Sequence, residues 1–440
     1  MLADTGYVPE QSLVQKMNPR KPLWLPIVES IGLNLALGSF NAYIMKSEFA
    51  QISTKSIKHN FERGWSTDAD GLITNMWAHP FHGSIYFNLA RSSGYNYWTS
   101  LGVGAIGSWQ WEFFMEIEPP ALNDWVMTSY GGSMIGEMFY RFSNLIIDES
   151  TTGSERFWRE LGAGVFNPGR LFNRLITGKT SRVTHEKLYE TQPFVGELAI
   201  GANNVADGVD FKNGDRNLML TTEIMYGKLF YKNKYKPFDY FRFNAALNFA
   251  GEQPVVGQFR IVNIMTGNSS KLGGGRFLYG IFGHYDFLQN SVYEIGSAAV
   301  GLSAGYRTSN KSKIQFASLL HGAVTLMGAA NSDYVPKVEF LDSARTYNMG
   351  PGAHAKFETV LSFPFGALSL DYSFWWIHTW EGAKGDEFIG MLAPKIRIHL
   401  YKKLFVGLEW LLYHRVGKYD DYEDRDYRNN EQRLSIGYSL

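Results

Sequence analysis

Leu368-Ser369-Leu370-Asp371-Tyr372-Ser373-Phe374-Trp375-Trp376 decides the fold. In an extended chain successive side chains point to opposite faces, so Leu370, Tyr372, Phe374 and Trp376 share one face and Ser369, Asp371 and Ser373 the other. Charge is confined to the second face. The neighbouring runs repeat the pattern. Phe357, Thr359, Leu361 and Phe363 oppose Lys356, Glu358 and Ser362; Ile396, Ile398 and Leu400 oppose Lys395, Arg397 and His399. Val406, Leu408, Trp410 and Leu412 then oppose Gly407 and Glu409, and earlier Phe241, Phe243, Leu247 and Phe249 alternate with Arg242, Asn244 and Asn248.

Period-two alternation recurs from Glu197 to Leu440, near 195–203, 216–230, 238–250, 256–267, 275–287, 294–307, 311–325, 352–363, 366–378, 388–401, 403–415 and 431–440. Tight connections, Pro364-Phe365-Gly366 and Tyr401-Lys402-Lys403, alternate with longer polar ones such as 416–430. A soluble sandwich also alternates, but strands this long and this aromatic fit a tilted membrane strand. The expected fold is a membrane β-barrel of about twelve antiparallel strands, with short turns at one end and long loops at the other. Its polar inner wall would carry Glu223, Arg242, Arg276, Asp286, Arg307, Lys356, Glu358, Asp371, Lys395, Arg397 and Glu409.

Composition agrees. The 440 residues include 31 Phe, 25 Tyr and 12 Trp, yet the mean hydropathy is −0.20. A multi-helix membrane protein would be far more apolar, whereas a barrel turns only every second strand residue to lipid. Lys+Arg and Asp+Glu are both 42, which gives no basic excess for a nucleic-acid partner. The absence of cysteine excludes disulfides, thiolate metal sites and a cysteine nucleophile. The start, Met1 to Gly6, lacks the basic and apolar regions of an export signal, so the chain reads as a processed form with its signal removed. Leu434, Ile436, Tyr438 and Leu440 alternate up to the last residue, resembling the terminal strand read by the outer-membrane barrel-assembly machinery; that strand usually ends in an aromatic residue, and here it ends in Leu440.

The N-terminal part has helical periodicity instead. We expect an extension over 1–23, a helical plug-like region over 24–150 packed in or against the barrel lumen, a connector over 151–193 and the barrel over 194–440. The apolar run from Trp24 to Met45 contains Glu29, Ser30, Asn34, Ser39 and Asn41, which argue against lipid exposure. A second helix is expected to open at His79-Pro80, and a third to follow Pro119-Pro120 with Asn123 or Asp124 as N-cap and to run through Ile147. On the third, Thr128, Gly132 and Gly136 form a flat stripe for close helix packing. The connector is rich in cations, among them Arg170, Arg174, Lys179 and Arg182, a composition suited to lipid headgroups.

Potential chemistry concentrates in 75–141. The candidate residues are His79, His82, Ser84, Glu112, Glu116, Asp124, Glu137 and Arg141. Glu112 and Glu116 place two carboxylates on one helix face, where one pKa is pushed up, and Glu137 with Arg141 forms an i,i+4 pair. Two arrangements can be drawn: a metal held by His79, His82 and one of Glu112, Glu116 or Asp124, or His82 as base to Ser84. No Gly-x-Ser-x-Gly, His-Glu-x-x-His or phosphate-binding glycine loop is present. The expectation is therefore no assigned metal and no cofactor, with the cluster serving first as a polar network for the charged wall.

The string His79-Pro80-Phe81-His82-Gly83-Ser84-Ile85-Tyr86-Phe87-Asn88-Leu89-Ala90-Arg91, with Gly107, Ser108, Trp111, Glu112, Asn123, Asp124, Gly131, Gly132, Gly136, Glu137 and Arg141, resembles a family of uncharacterised Gram-negative envelope proteins defined as a domain of unknown function and grouped with outer-membrane barrels. The resemblance spans about 60–145 and implies location and architecture, with no reaction. Asn123, Asp124, Gly132 and Gly136 also resemble one helix of VanZ-like membrane proteins, over too short a stretch to imply a function. Two functions follow as expectations: a structural or accessory subunit of an envelope assembly with an occluded lumen, or a barrel-embedded enzyme acting on lipid, lipopolysaccharide or peptidoglycan through 79–141. A passive channel is the third, disfavoured by the helices. The expected partners are membrane lipids and other outer-membrane proteins.

Overall fold

The computed structural model describes residues 16–68, 70–208, 214–251, 253–309, 313–334 and 346–440. Of the expected N-terminal extension, 1–15 lie outside the described residues, as do 311–312 of the seventh expected strand. The chain divides into two compact units, Met1–Gln192 and Pro193–Leu440.

The second unit is a closed antiparallel barrel of twelve strands, each paired with its neighbours in sequence and the last with the first. In order they are β1 Phe194–Asp207, β2 Asp215–Tyr226, β3 Phe241–Ala250, β4 Val256–Leu272, β5 Gly275–Gln289, β6 Glu294–Thr308, β7 Gln315–Asn331, β8 Tyr347–Phe363, β9 Gly366–His378, β10 Gly385–Tyr401, β11 Leu404–Tyr419 and β12 Arg425–Ser439. Closure runs from Glu197 opposite Ser439 to Asp207 opposite Asn429, which leaves no free edge. Outward side chains such as Ile200, Leu320, Val324, Leu368, Ile396, Leu408 and Leu434 are exposed and apolar.

Where the strands differ from the alternation, the physical cause is local. Residues 227–240 are a connection, not the ends of β2 and β3, because Phe230 (φ 71°) and Phe238 (φ 59°) take left-handed conformations that no strand continues through. Tyr235 pins that connection: its Oη donates to the Lys228 carbonyl at 3.0 Å and accepts from the Tyr231 N–H at 3.0 Å. The expected loop 416–430 shrinks to 420–424, since Arg425 to Asn430 pair with Gly417 to Leu412 in a polar hairpin extension. Ladder hydrogen bonds continue there while the apolar face does not.

The inner wall is tied across the lumen. Asp286 on β5 accepts from Lys356 Nζ on β8 at 2.6 Å and from Trp375 Nε1 on β9 at 3.3 Å, and also from Arg260 Nε, its cross-strand neighbour on β4, at 2.9 Å. Arg242 on β3 pairs with Glu358 on β8, Lys395 on β10 lies 3.5 Å from Glu223 on β2, and Arg397 on β10 pairs with Glu197 on β1. None of these three pairs joins neighbouring strands. Arg276 and Arg307 bond locally instead, to Ser269 and Gln315. Beyond the charges lies an apolar core that includes Leu288, Ile295, Trp375, Ile377, Ile389, Met391, Leu411 and Tyr413, with the Tyr293 and Tyr413 rings 5.0 Å apart.

The first unit is helical: α1 Trp24–Ser39, α2 Thr54–Arg63, α3 His79–Ser92, α4 Tyr97–Phe114, α5 Leu122–Val126, α6 Gly132–Ile146, α7 Gly153–Phe166 and α8 Pro168–Ile176. The stretch read as a connector, 151–193, thus contains α7 and α8. On α1 the polar and small residues Pro26, Ser30, Asn34 and Gly38 are buried, while Trp24 and Val28 are exposed. The buried polar groups of this run bond inside the helical unit, Ser30 Oγ donating to the Ile27 carbonyl at 2.7 Å and Asn34 Nδ2 to the Gly107 carbonyl at 3.1 Å.

Two helix starts differ from expectation. Helical backbone already begins at Leu72, and a π-helical turn, Thr74–Ala78, runs into α3. Pro80 has no N–H and crowds the carbonyl one turn back, so a widened turn ahead of it is where the ladder absorbs the defect. The N-cap of α5 is Ala121, not Asn123 or Asp124. The Ala121 N–H is taken by the Glu112 carboxylate at 2.9 Å, and Asn123 and Asp124 turn to each other and to Asp68.

The glycine stripe packs α3 against the π-helical turn Met127–Gly131 and α6. A Cβ on Gly83 would sit 1.7 Å from the Thr128 carbonyl oxygen, and one on Gly132 would sit 2.7 Å from Gly83 backbone. We expect Gly83→Ala to destabilise the helical unit by about 1–3 kcal/mol through overpacking. Gly102→Ala, on α4 with open space around it, should stabilise by about 0.4–1 kcal/mol. Thermal melting followed by circular dichroism reads both; equal melting of the two variants would contradict the packing.

Candidate functional site

The 66–70 segment is held beside the start of α5. Ser66 N–H donates to the Pro120 carbonyl at 2.8 Å and Leu122 N–H to the Ser66 carbonyl at 2.8 Å. This clamp brings Asp68 and Asp70 to His79 on α3, Asp124 on α5 and the carboxylates at the end of α4.

His79 Nε2 lies 3.5 Å from Asp124 Oδ2 and 4.0 Å from Asp70 Oδ2. Asn123 Nδ2 donates to Asp68 Oδ1 at 2.7 Å and to Asp124 Oδ1 at 2.8 Å, and Asn75 Nδ2 to Asp68 Oδ1 at 3.1 Å. Glu112 is buried on α4; Glu116 lies just past the helix, whose C-cap is Met115, and accepts from Trp111 Nε1 at 2.5 Å. Among the described residues no Lys or Arg pairs with Glu112, Glu116 or Asp124. The cluster reaches the surface at Asp70, whose side chain is 46% exposed.

Burial and crowding of like charge set the electrostatics. Burial, with Glu116 and Asp124 nearby, raises the Glu112 carboxyl well above its usual range. Burial outweighs the His79 charge and lifts Glu116 to about 7. Asp124 rises well above the ordinary carboxylate range through burial and the Asp68 charge. For His79, burial opposes the imidazolium, but Asp70, Glu112, Glu116 and Asp68 overcome it and raise the pKa. The arrangement therefore raises the carboxyl pKa values, that of Glu116 to about 7, the condition for general acid–base work. Asp68, Asp70 and His79 also place one ligand atom each within 4.8 Å of one another, a donor set that fits a divalent cation.

The other candidates go elsewhere. His82 does not join His79: its ring lies against Tyr86 and Trp111, at 4.5 and 5.1 Å between centroids, and burial with the His79 charge holds it down to about 3. Ser84 Oγ donates to the Phe81 carbonyl at 2.6 Å, so the geometry supports neither His82 as base to Ser84 nor His82 as a metal ligand beside His79. Glu137 accepts from Arg91 Nε at 2.6 Å and Nη2 at 2.8 Å and from Arg141 Nε at 2.9 Å, a buried ion-pair knot. Asp68 and Asp70 escaped the sequence reading because they precede the 75–141 window; their signal was two carboxylates two residues apart in a polar approach to the helix.

A closed barrel leaves no backbone group unpaired in lipid, and here an apolar outer face encloses a polar-tied interior with two-residue turns such as 273–274, 364–365 and 402–403 at one end. These features define an outer-membrane β-barrel protein. Among the described residues no helix is long and apolar enough to cross a membrane.

Residues 64–169 match a family described as a domain of unknown function, DUF3943. The matched stretch includes Asp68, Asp70, His79, Glu112, Glu116 and Asp124. A search of curated proteins found no match. Among solved structures the chain is similar to the NanC porin, with 8% identity over 56% of this chain and 100% of that one and a TM-score of 0.30. It is also similar to an outer-membrane channel from Pseudomonas putida F1, with 10% identity over 57% and 97% of the two chains and a TM-score of 0.29. The DcaP channel of Acinetobacter baumannii gives 10%, 56%, 96% and 0.24.

Proposed function

We propose that the protein is a non-conducting outer-membrane barrel that serves as a structural or accessory subunit of an envelope assembly. The observation that carries this reading is the lumen bridged from strand to distant strand, Asp286 on β5 accepting from Lys356 on β8 and Trp375 on β9, and Arg242, Lys395 and Arg397 pairing with Glu358, Glu223 and Glu197, beside an apolar core. A wall tied to itself leaves a barrel that anchors and presents surfaces instead of passing solute. Gentle extraction from native outer membranes tests it: a second protein should co-purify in fixed proportion, and a monodisperse monomer with no companion would contradict the accessory role.

A second reading is favoured by one observation, the convergence of His79, Asp124, Glu112 and Glu116 with carboxyl pKa values raised by burial, that of Glu116 to about 7. On this reading the helical unit is an enzyme acting on lipid, lipopolysaccharide or peptidoglycan, with Glu116 and Asp124 exchanging protons and His79 oriented by Asp70. Hydrolysis of outer-membrane lipid or glycan by the purified protein, lost in His79→Ala and Asp124→Asn, would establish it; no turnover by the wild type would remove it.

A further inference from the structure

A cavity of about 440 Å³ in the helical unit is lined by Arg20, Lys21, Arg91, Arg170, Arg174 and Lys179, and by no carboxylate. Carboxylates behind the wall neutralise only part of this charge. Arg91 is held by Glu137, Arg174 by Glu149 and Glu160, and Lys21 lies 3.8 Å from Glu29.

Arg170 has no such partner. It is 3% exposed, its Nη1 donates to the neutral Ser143 and Asn144 side chains, and its guanidinium lies over the rings of Tyr140 and Tyr189 at 4.9 and 4.4 Å. Its Nη2 has no hydrogen-bond acceptor among the described residues. A buried guanidinium with an unused donor is costly unless an anion completes it. Lys179 shows the same excess, since burial and the charges of Arg182, Arg174 and Lys21 hold it down to about 8.

We propose that this cavity binds a phosphate-bearing ligand, with Arg170 and Lys179 as its principal charge partners. Guanidinium forks match phosphate oxygens in pairs, and several cations around one cavity suit a group of charge near −2 better than a single carboxylate. The cavity has room for more than a bare phosphate, so the ligand is a phosphomonoester carrying a further polar group. The source is either a soluble phosphorylated compound or a lipid headgroup. This inference rests on neither reading of the acidic cluster nor on the state of the lumen.

The test uses the full chain in zwitterionic detergent, titrated with inorganic phosphate, glycerol phosphate, dihexanoyl phosphatidic acid and dihexanoyl phosphatidylcholine, and read by phosphorus NMR line broadening and by thermal shift. Wild type should bind glycerol phosphate or the phosphatidic acid, with phosphatidylcholine inert. Saturation by glycerol phosphate assigns a soluble ligand; saturation by the phosphatidic acid alone assigns a headgroup. Arg170→Gln should weaken the bound ligand at least about tenfold, the loss of one charge-assisted contact. Because Arg170 is buried and its variant could misfold, Lys179→Gln and the exposed Arg20→Gln provide a second reading and should weaken binding while leaving the circular dichroism spectrum unchanged. Absence of binding by all four probes, or affinities indifferent to Arg170→Gln and Lys179→Gln in folded protein, would overturn the proposal.

Discussion

Asp286→Ala is expected to destabilise the barrel by about 3–5 kcal/mol, the cost of leaving buried cations without their anion. Asp286 is fully buried and is the shared acceptor for Lys356, Arg260, Ser297 and Trp375. Removing its carboxylate strands two cations between walls that also lose their common tie. Asp286→Asn should fall between wild type and alanine, since it keeps an acceptor and discards the charge. Combining Asp286→Ala with Lys356→Met should recover part of the loss, because the second change removes one stranded charge, and the coupling appears as non-additivity. Urea unfolding of the barrel reconstituted in lipid measures these differences. Unfolding of Asp286→Ala at the wild-type midpoint would mean that water, not Asp286, solvates Lys356 and Arg260.

The second large effect is on the helical unit, which should lose stability as pH rises from 6.5 to 8. The sign follows from the shifted groups. Glu112, Glu116 and Asp124 have folded pKa values raised above their unfolded ones, so the folded state holds protons that the unfolded state releases, and stability falls as pH climbs through the folded values. His79, also raised, contributes stability that is present below its unfolded value and lost as pH rises through its folded one. His82 and Glu149, held down to about 3 and about 2, act only at lower pH; Lys179, at about 8, acts above the window. Each titrating group changes stability by at most about 1.4 kcal/mol per pH unit. Glu116→Gln should flatten the profile, and a divalent cation bound at Asp68, Asp70 and His79 should restore stability at pH 8. A melting temperature for the helical unit that rises between pH 6.5 and 8 would contradict the buried, proton-holding cluster.

The barrel was legible because lipid imposes a strict alternation on every strand that crosses it: Leu370, Tyr372, Phe374 and Trp376 announce β9 without any knowledge of its neighbours. The ends were not, because the ladder from Arg425 to Asn430 is polar on both faces. Nor was the apolar core of the lumen. Trp375 sits between Phe374 and Trp376, so an inward tryptophan reads as part of an outward aromatic run, and Ile377, Ile389 and Met391 likewise blur the polar face. In the candidate site, the density of His79, Glu112, Glu116 and Asp124 in one window was visible, and the fold brings these four together. The fold engages His82, Ser84, Glu137 and Arg141 with other partners, and those partners, Trp111, the Phe81 carbonyl and Arg91, become apparent only once the helices are packed. Asp68 and Asp70 needed the backbone clamp between Ser66 and Pro120, a contact with no local sequence signature.

Planar-bilayer conductance of the purified full chain tests the proposed closed lumen most directly. The wild type should insert without discrete ion-conducting steps at any applied voltage the bilayer withstands, and replacing Trp375 and Tyr413 together by alanine should allow steps to appear. Stable, reproducible conductance of the wild type at the level of an open porin would contradict it.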